Sequence, residues 1–195
     1  MIGKLQSILT ENLAGAWEVM LGRPEGLNRL DTSLEGFWRS FAAVILLVPF
    51  ALLALFSQEP LAEQTGGSAP HLSGSGLALE GIALLADWFA FPVVFALVAR
   101  PFGLGSRYVP FIVTRNWAAV IIGAMVGVVH ALHLAGVLPT ALVPYLLLVA
   151  IAVALRFSYV IARTTLAVSM GMAIPIVMLD LLLSLTIWSV FDRFV

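Results

Sequence analysis

The sequence predicts an all-α fold: a polytopic integral membrane bundle of five transmembrane helices behind an N-terminal amphipathic helix. Three observations predict it. Five apolar runs are each long enough to cross a hydrocarbon layer of about 30 Å, which takes about 20 helical residues. The lysines and arginines fall in alternate joints between those runs. Of 195 residues, 61% are hydrophobic and 11% charged, and the mean hydropathy is +1.04. A soluble domain of this length has nowhere to hide so much apolar surface, so lipid must be its solvent. Two segments follow: a cytoplasmic amphipathic stretch over 1–36 and one five-helix transmembrane domain over 37–195.

The N-terminal stretch is too polar to span, yet Leu5, Ile8, Leu9, Leu13, Trp17, Met20 and Leu21 recur at three- and four-residue steps. They make one apolar helical stripe, closed by Gly22 with Pro24 just beyond. Lys4, Glu11 and Glu18 occupy other faces. Such a helix either lies along the membrane surface and binds a partner, or packs under the bundle as a lid. No apolar core with a small-residue cleavage site precedes it, so no cleavable signal peptide is expected.

A capping box, Thr32-Ser-Leu-Glu35, announces the first span, with Thr32 as the cap and Glu35 reaching back. That span covers about 37–56, and the others about 77–99, 117–135, 141–161 and 166–191. The runs are continuous in polarity and do not alternate, which marks helices and not barrel strands. Lys4, Arg23, Arg29 and Arg39 precede or begin the first span; Arg100, Arg107 and Arg115 lie between the second and third; Arg156 and Arg163 flank the joint after the fourth. Only Arg193 falls elsewhere. By the positive-inside rule the N-terminus is cytoplasmic and the C-terminus extracytoplasmic. The outer joint over 58–76 is rich in Gly, Ser, Pro and Glu and reads as a solvated loop.

Ionisable residues inside spans are the candidate intramembrane polar site, because each costs a few kcal/mol to place in lipid, about 3 by insertion scales. Asp87 lies mid-way along the second span, with Glu80 seven residues earlier on the same face. Asp180 lies mid-way along the fifth, and Arg156 inside the cytoplasmic half of the fourth. They can form a proton or cation path, or Asp87 or Asp180 can pair with Arg156 and glue helices together. Glue is the preferred reading, since Asp180 has no second acid at helical spacing. Pro92 and Pro175 kink helices near these acids.

His130 and His133 form an HxxH pair at the outer end of the third span, and with His71 they offer three imidazoles. Hydrogen bonding at the interface is the expected role, with no metal site assigned. Gly123 and Gly127 make a GxxxG motif that lets a helix approach closely, from this chain or from a second subunit. Cysteine is absent, which excludes disulfides and thiolate chemistry. Neither a nucleophile–base pattern, a zincin motif nor a dinucleotide fingerprint occurs, so an enzyme is not expected and no cofactor is assigned. A net charge of −1 without a basic run gives no hint of nucleic acid.

A cytoplasmic N-terminal segment, five closely spaced spans and an outward C-terminus resemble the Yip family of membrane proteins. The stretches Gly36-Phe-Trp-Arg-Ser40 before the first span and Val113-Thr-Arg-Asn-Trp117 before the third look similar to that group's aromatic span entries. The resemblance implies the architecture, over most of the chain, and carries no functional residue with it. In eukaryotes that family binds small GTPases and trafficking partners.

The sequence is therefore expected to act by protein interaction in the bilayer, as a scaffold, assembly factor or accessory subunit of a membrane complex. Its candidate interaction surface comprises Leu9, Leu13, Trp17, Phe37, Trp38 and Trp117, toward a membrane-protein partner or a homo-oligomer. The alternative is a small transporter or channel subunit that uses Glu80, Asp87 and Asp180.

Overall fold

The computed structural model describes residues 2–65 and 74–194. Among them run seven α-helices: α1 (Ile2–Met20), α2 (Leu34–Phe41), α3 (Val44–Thr65), α4 (Gly74–Ala99), α5 (Tyr108–Leu134), α6 (Val143–Leu166) and α7 (Met170–Phe191). Short 3-10 turns stand at Pro24–Arg29, Gly105–Arg107 and Thr140–Leu142. Five stretches are long and apolar enough to cross a membrane: Leu34–Ala62, Gly74–Ala99, Gly105–Leu134, Thr140–Leu166 and Met170–Phe191. The fold is the all-α, five-span bundle that the hydropathy predicts.

Several boundaries differ from the sequence reading, each for a local reason. The cap before the first span is Ser33 and not Thr32: its Oγ accepts the Gly36 N–H at 3.0 Å, while Glu35 pairs with Arg39 instead of reaching back. From α2 the chain passes into α3 through Ala42 and Ala43, where i→i+3 bonds tighten the helix without ending it. The helix of the third span, α5, starts at Tyr108 and not near 117, since Pro110 falls in its first turn, where a missing N–H is tolerated. Arg115 therefore belongs to a helix and not to a joint. The helix of the fourth span, α6, continues to Leu166, where Ala167 turns left-handed at φ 49°, and that of the fifth, α7, begins only at Met170.

The N-terminal helix ends as its composition predicts. Gly22 takes φ 81°, and the Arg23 N–H reaches back to the Glu18 carbonyl at 3.0 Å, closing the last turn. Its buried face is rotated from the expected stripe. Asn12, Gly15, Ala16, Val19 and Met20 are buried, Leu9 and Leu13 flank the core, and Trp17 is 43% exposed. Small residues govern that face. A Cβ on Gly26 would stand 2.5 Å from the Gly15 carbonyl oxygen, so the 3-10 turn lies directly on the helix backbone. The helix packs on α5 and α6, with Trp17 edge-on to Phe157 at 6.1 Å. Of the two readings for this segment, its contacts are those of a lid.

Polar bonds fasten the lid. Buried Asn12 donates to the Ile8 carbonyl at 2.7 Å and accepts the Asp31 N–H at 3.2 Å. Arg29 pairs with Glu11 at 3.1 Å and with Glu18 at 3.3 Å, and Arg39 pairs with Asp31 at 3.2 Å. The Ser33 hydroxyl above all, aided by its backbone N–H and Arg39, holds the Asp31 carboxyl below its ordinary value of 3.8, against burial, which opposes it more than either helper favours it. A depressed carboxyl stabilises the fold above its unfolded pKa and loses that contribution as pH falls through the folded value. Wild-type protein should thus lose thermal stability more steeply than Asp31→Asn as pH is lowered below the ordinary carboxyl value of 3.8, since the variant has no such proton to take up. Parallel melting curves across that range would remove Asp31 from the account.

α5 is the central helix: it touches α1, α2, α3, α4 and α6. α7 lies outside it against α4 and α6, and Ala173 is the only residue of α7 that is fully buried. The GxxxG face of α5 turns inward. A Cβ on Gly123 would meet Leu47 Cδ2 at 2.5 Å, and one on Gly127 would meet Phe50 Cδ1 at 2.5 Å. The helix admitted by the motif is α3 of the same chain.

Candidate functional site

The intramembrane charges converge on α5, though not through the arginine that the sequence offered. Asp180 of α7 receives a bidentate pair from Arg115: Nε to Oδ2 at 3.1 Å and a terminal nitrogen to Oδ1 at 2.6 Å. Both side chains are less than a quarter exposed. The planar fork matches the carboxylate, and charge-assisted bonds of this kind are among the stronger ones a protein makes. The Arg115 guanidinium also lies 4.8 Å from the centroid of the Phe91 ring on α4, so it ties three helices together.

Asp87 of α4 stands beside this pair and close enough to interact with both its members, and it accepts hydrogen bonds from Ser184 and Trp188 of α7. It is the surplus carboxylate of the cluster: two acids against one guanidinium. Glu80, about two turns away by its spacing of seven from Asp87, is half-buried and faces Asp192 at the far end of the bundle. It does not join the cluster.

Arg156 is not part of it either. It is exposed, with its guanidinium 5.7 Å from the centroid of Phe157, the ring that meets Trp17 of the lid. The expected pairing of Asp87 or Asp180 with Arg156 is corrected: Arg156 stands at the level of the lid, where it needs no buried partner, and Arg115 takes the role. The sequence carried a signal for this. Phe111, Ile112 and Val113 precede Arg115 and Trp117 follows it, so a single charge sits inside an apolar run, and Asp180 on another span needs a cation.

Aromatic side chains wall the cluster on one side. Phe91, Phe95 and Phe111 meet at 5.0 to 5.9 Å, Tyr108 stacks on Phe95 at 6.0 Å, and Phe37 joins Tyr108 at 6.0 Å. Tyr108 donates to the Pro92 carbonyl at 2.9 Å, which secures α5 to the proline-bearing turn of α4. Aromatic pairs of this geometry each contribute about 0.5–1.5 kcal/mol beyond area burial.

The span entries part company. Phe37 is half-buried in the aromatic wall, and Trp38 beside it is 63% exposed. Trp117 is 3% exposed, inside the core next to Asn116, whose side chain donates to the Ser40 hydroxyl at 3.0 Å. Trp117 therefore leaves the candidate interaction surface, because the early start of α5 places it a full two turns inside the helix. Leu9 and Leu13 also pack against the bundle.

At the far end His133 joins two other elements. Its Nδ1 meets the buried Ser57 hydroxyl of α3 at 2.8 Å, and its Nε2 meets Thr140 at 3.1 Å. Both of its ring nitrogens are thus engaged in hydrogen bonds, so His133 takes the role expected of the pair. His130 is buried, and its Nδ1 has no hydrogen-bond partner among the described residues. His71 lies outside the described residues. Among those described, no three His, Asp or Glu side chains stand close enough to hold a metal ion.

Arg107 donates to the Thr165 carbonyl at 3.3 Å and so satisfies an unpaired acceptor in the last turn of α6. Compared with family models, with curated proteins and with solved structures, the chain matches none.

Proposed function

We propose that the protein works by interaction inside the membrane, as a scaffold, assembly factor or accessory subunit, and not by catalysis. One observation carries this reading: the acids of the cluster are taken up in holding helices together. Asp180 holds Arg115, and Asp87 holds Ser184 and Trp188. Side chains so engaged specify which helices meet, and they serve a transport path poorly because each step would have to break a helix contact. Two large apolar side chains stand outward at the lid end among its charged ones: Leu34 is 73% exposed and Trp38, on the same short helix, 63%. The reading places that end, with its arginines, on the cytoplasmic side. The Yip-like architecture is compatible with an interaction role and is itself part of this proposal.

A photoreactive residue at position 38, in native membranes, tests the reading against one at Leu148, which is equally outward on α6. A protein adduct of constant mass at position 38, recovered in fixed stoichiometry and absent at position 148, supports it. Lipid adducts alone at both positions overturn it.

A second reading, a small transporter or channel subunit, is favoured by the surplus carboxylate of Asp87. Asp87→Asn separates the two. As a helix contact, Asn keeps hydrogen-bonding capacity, and the variant should assemble and function as wild type does. As a proton carrier, it should abolish ion flux into vesicles at unchanged membrane abundance.

A further inference from the structure

A cavity of about 380 Å³ opens between α3, α5, α6 and α7, within the size range of small-molecule sites, about 300–1,000 Å³. Arg115, Asp180, Ser158 and Ser184 supply its polar wall, and the rest of the lining is aliphatic, aromatic or glycine. Half-exposed Ile151 of α6 belongs to that lining, so the cavity reaches the outward side of the helix.

We propose that this cavity binds a neutral long-chain alcohol drawn from the bilayer. Charge selects against the alternatives. Arg115 and Asp180 are the two charged groups of the lining and neutralise one another across a bidentate contact, while Asp87 stands behind the lining, bonded to Ser184 and Trp188; a carboxylate ligand would therefore face Asp180 and an ammonium ligand would face Arg115, each without a partner of its own in an apolar site. A plain hydrocarbon would leave the outer edges of both groups without a polar neighbour. A hydroxyl suits both, because it donates to a carboxylate oxygen and accepts from a guanidinium N–H. Ser184 extends the same pattern, since its own proton goes to Asp87 and its lone pairs stay available. The hydrocarbon tail fits the aliphatic remainder of the cavity.

Purified full-length protein in nanodiscs is titrated with three probes of equal chain length: oleyl alcohol, oleate and a hydrocarbon, octadecene. The alcohol should raise the melting temperature saturably, and the other two should not. Ala154 lines the cavity, so Ala154→Leu should fill it and abolish the shift, whereas Ala152→Leu on the exposed side of α6 should keep it. Should Ala154→Leu fail to assemble, Ser158→Ala decides: it removes a hydroxyl from the polar wall and should weaken the alcohol about three- to tenfold. Equal shifts from all three probes, a stronger effect of oleate, or an alcohol response unchanged by the wall variants would overturn the proposal.

Discussion

Asp180→Ala should destabilise the bundle by about 3–5 kcal/mol, because it strips the buried Arg115 guanidinium of its bidentate partner and leaves only Asp87 nearby, a carboxylate already bonded to Ser184 and Trp188. The cost comes from the stranded charge more than from the lost contact, which yields a distinctive pattern. Arg115→Ala alone should be damaging for the mirror-image reason. Arg115→Met combined with Asp180→Leu should recover most of the loss, since an apolar pair of similar size carries no desolvation penalty. The double-mutant cycle, read by reversible unfolding in bicelles, should therefore show strong coupling. The helix most affected is α7. It has a single fully buried residue, Ala173, packs on α4 and α6, and is linked to α5 by this pair. Additive losses across the cycle would show that the pair does not fasten α7.

Gly127→Leu is expected to be the next most damaging change. A Cβ at that position already meets the Phe50 ring at 2.5 Å and its Cβ at 3.1 Å, so a leucine must push α3 and α5 apart along their shared face. Overpacking of this kind costs about 1–3 kcal/mol, with the upper end expected where two backbones are held close. Phe50→Ala should relieve part of it, because the freed volume lies where the new side chain points. A Gly127→Leu variant that melts as wild type does, and gains nothing from Phe50→Ala, would show that the two helices are not in the contact described.

The architecture was legible because lipid leaves so few options. A run of about 20 apolar residues must be a helix, and five such runs with short joints must form a bundle. The closing glycine of α1 was legible too, since Gly22 with Pro24 behind it marks a helix end by backbone chemistry alone. Large side chains misled the reading of α1: Leu13 and Trp17 drew attention to one stripe, but Gly15, Ala16 and Val19 lie deeper because small residues let backbones approach. The cluster partner was missed for a different reason. Counting Arg115 with the joint charges followed from starting the third span at 117, whereas the helix begins at Tyr108 with Pro110 in its first turn. Arg115 still points the same way in the count, so the inferred threading does not depend on that error. Burial of Trp117 followed from the same nine residues of helix.

Threading tests the account most directly, since an odd number of crossings places the two ends of the chain on opposite sides. Paired reporters, one active only in the cytoplasm and one only outside it, are fused after Gly105, after Thr164 and at Val195. The account predicts cytoplasmic activity at Gly105 and Thr164 and extracytoplasmic activity at Val195. Cytoplasmic activity at Val195 together with Thr164 would contradict it, because α7 would then not cross the membrane.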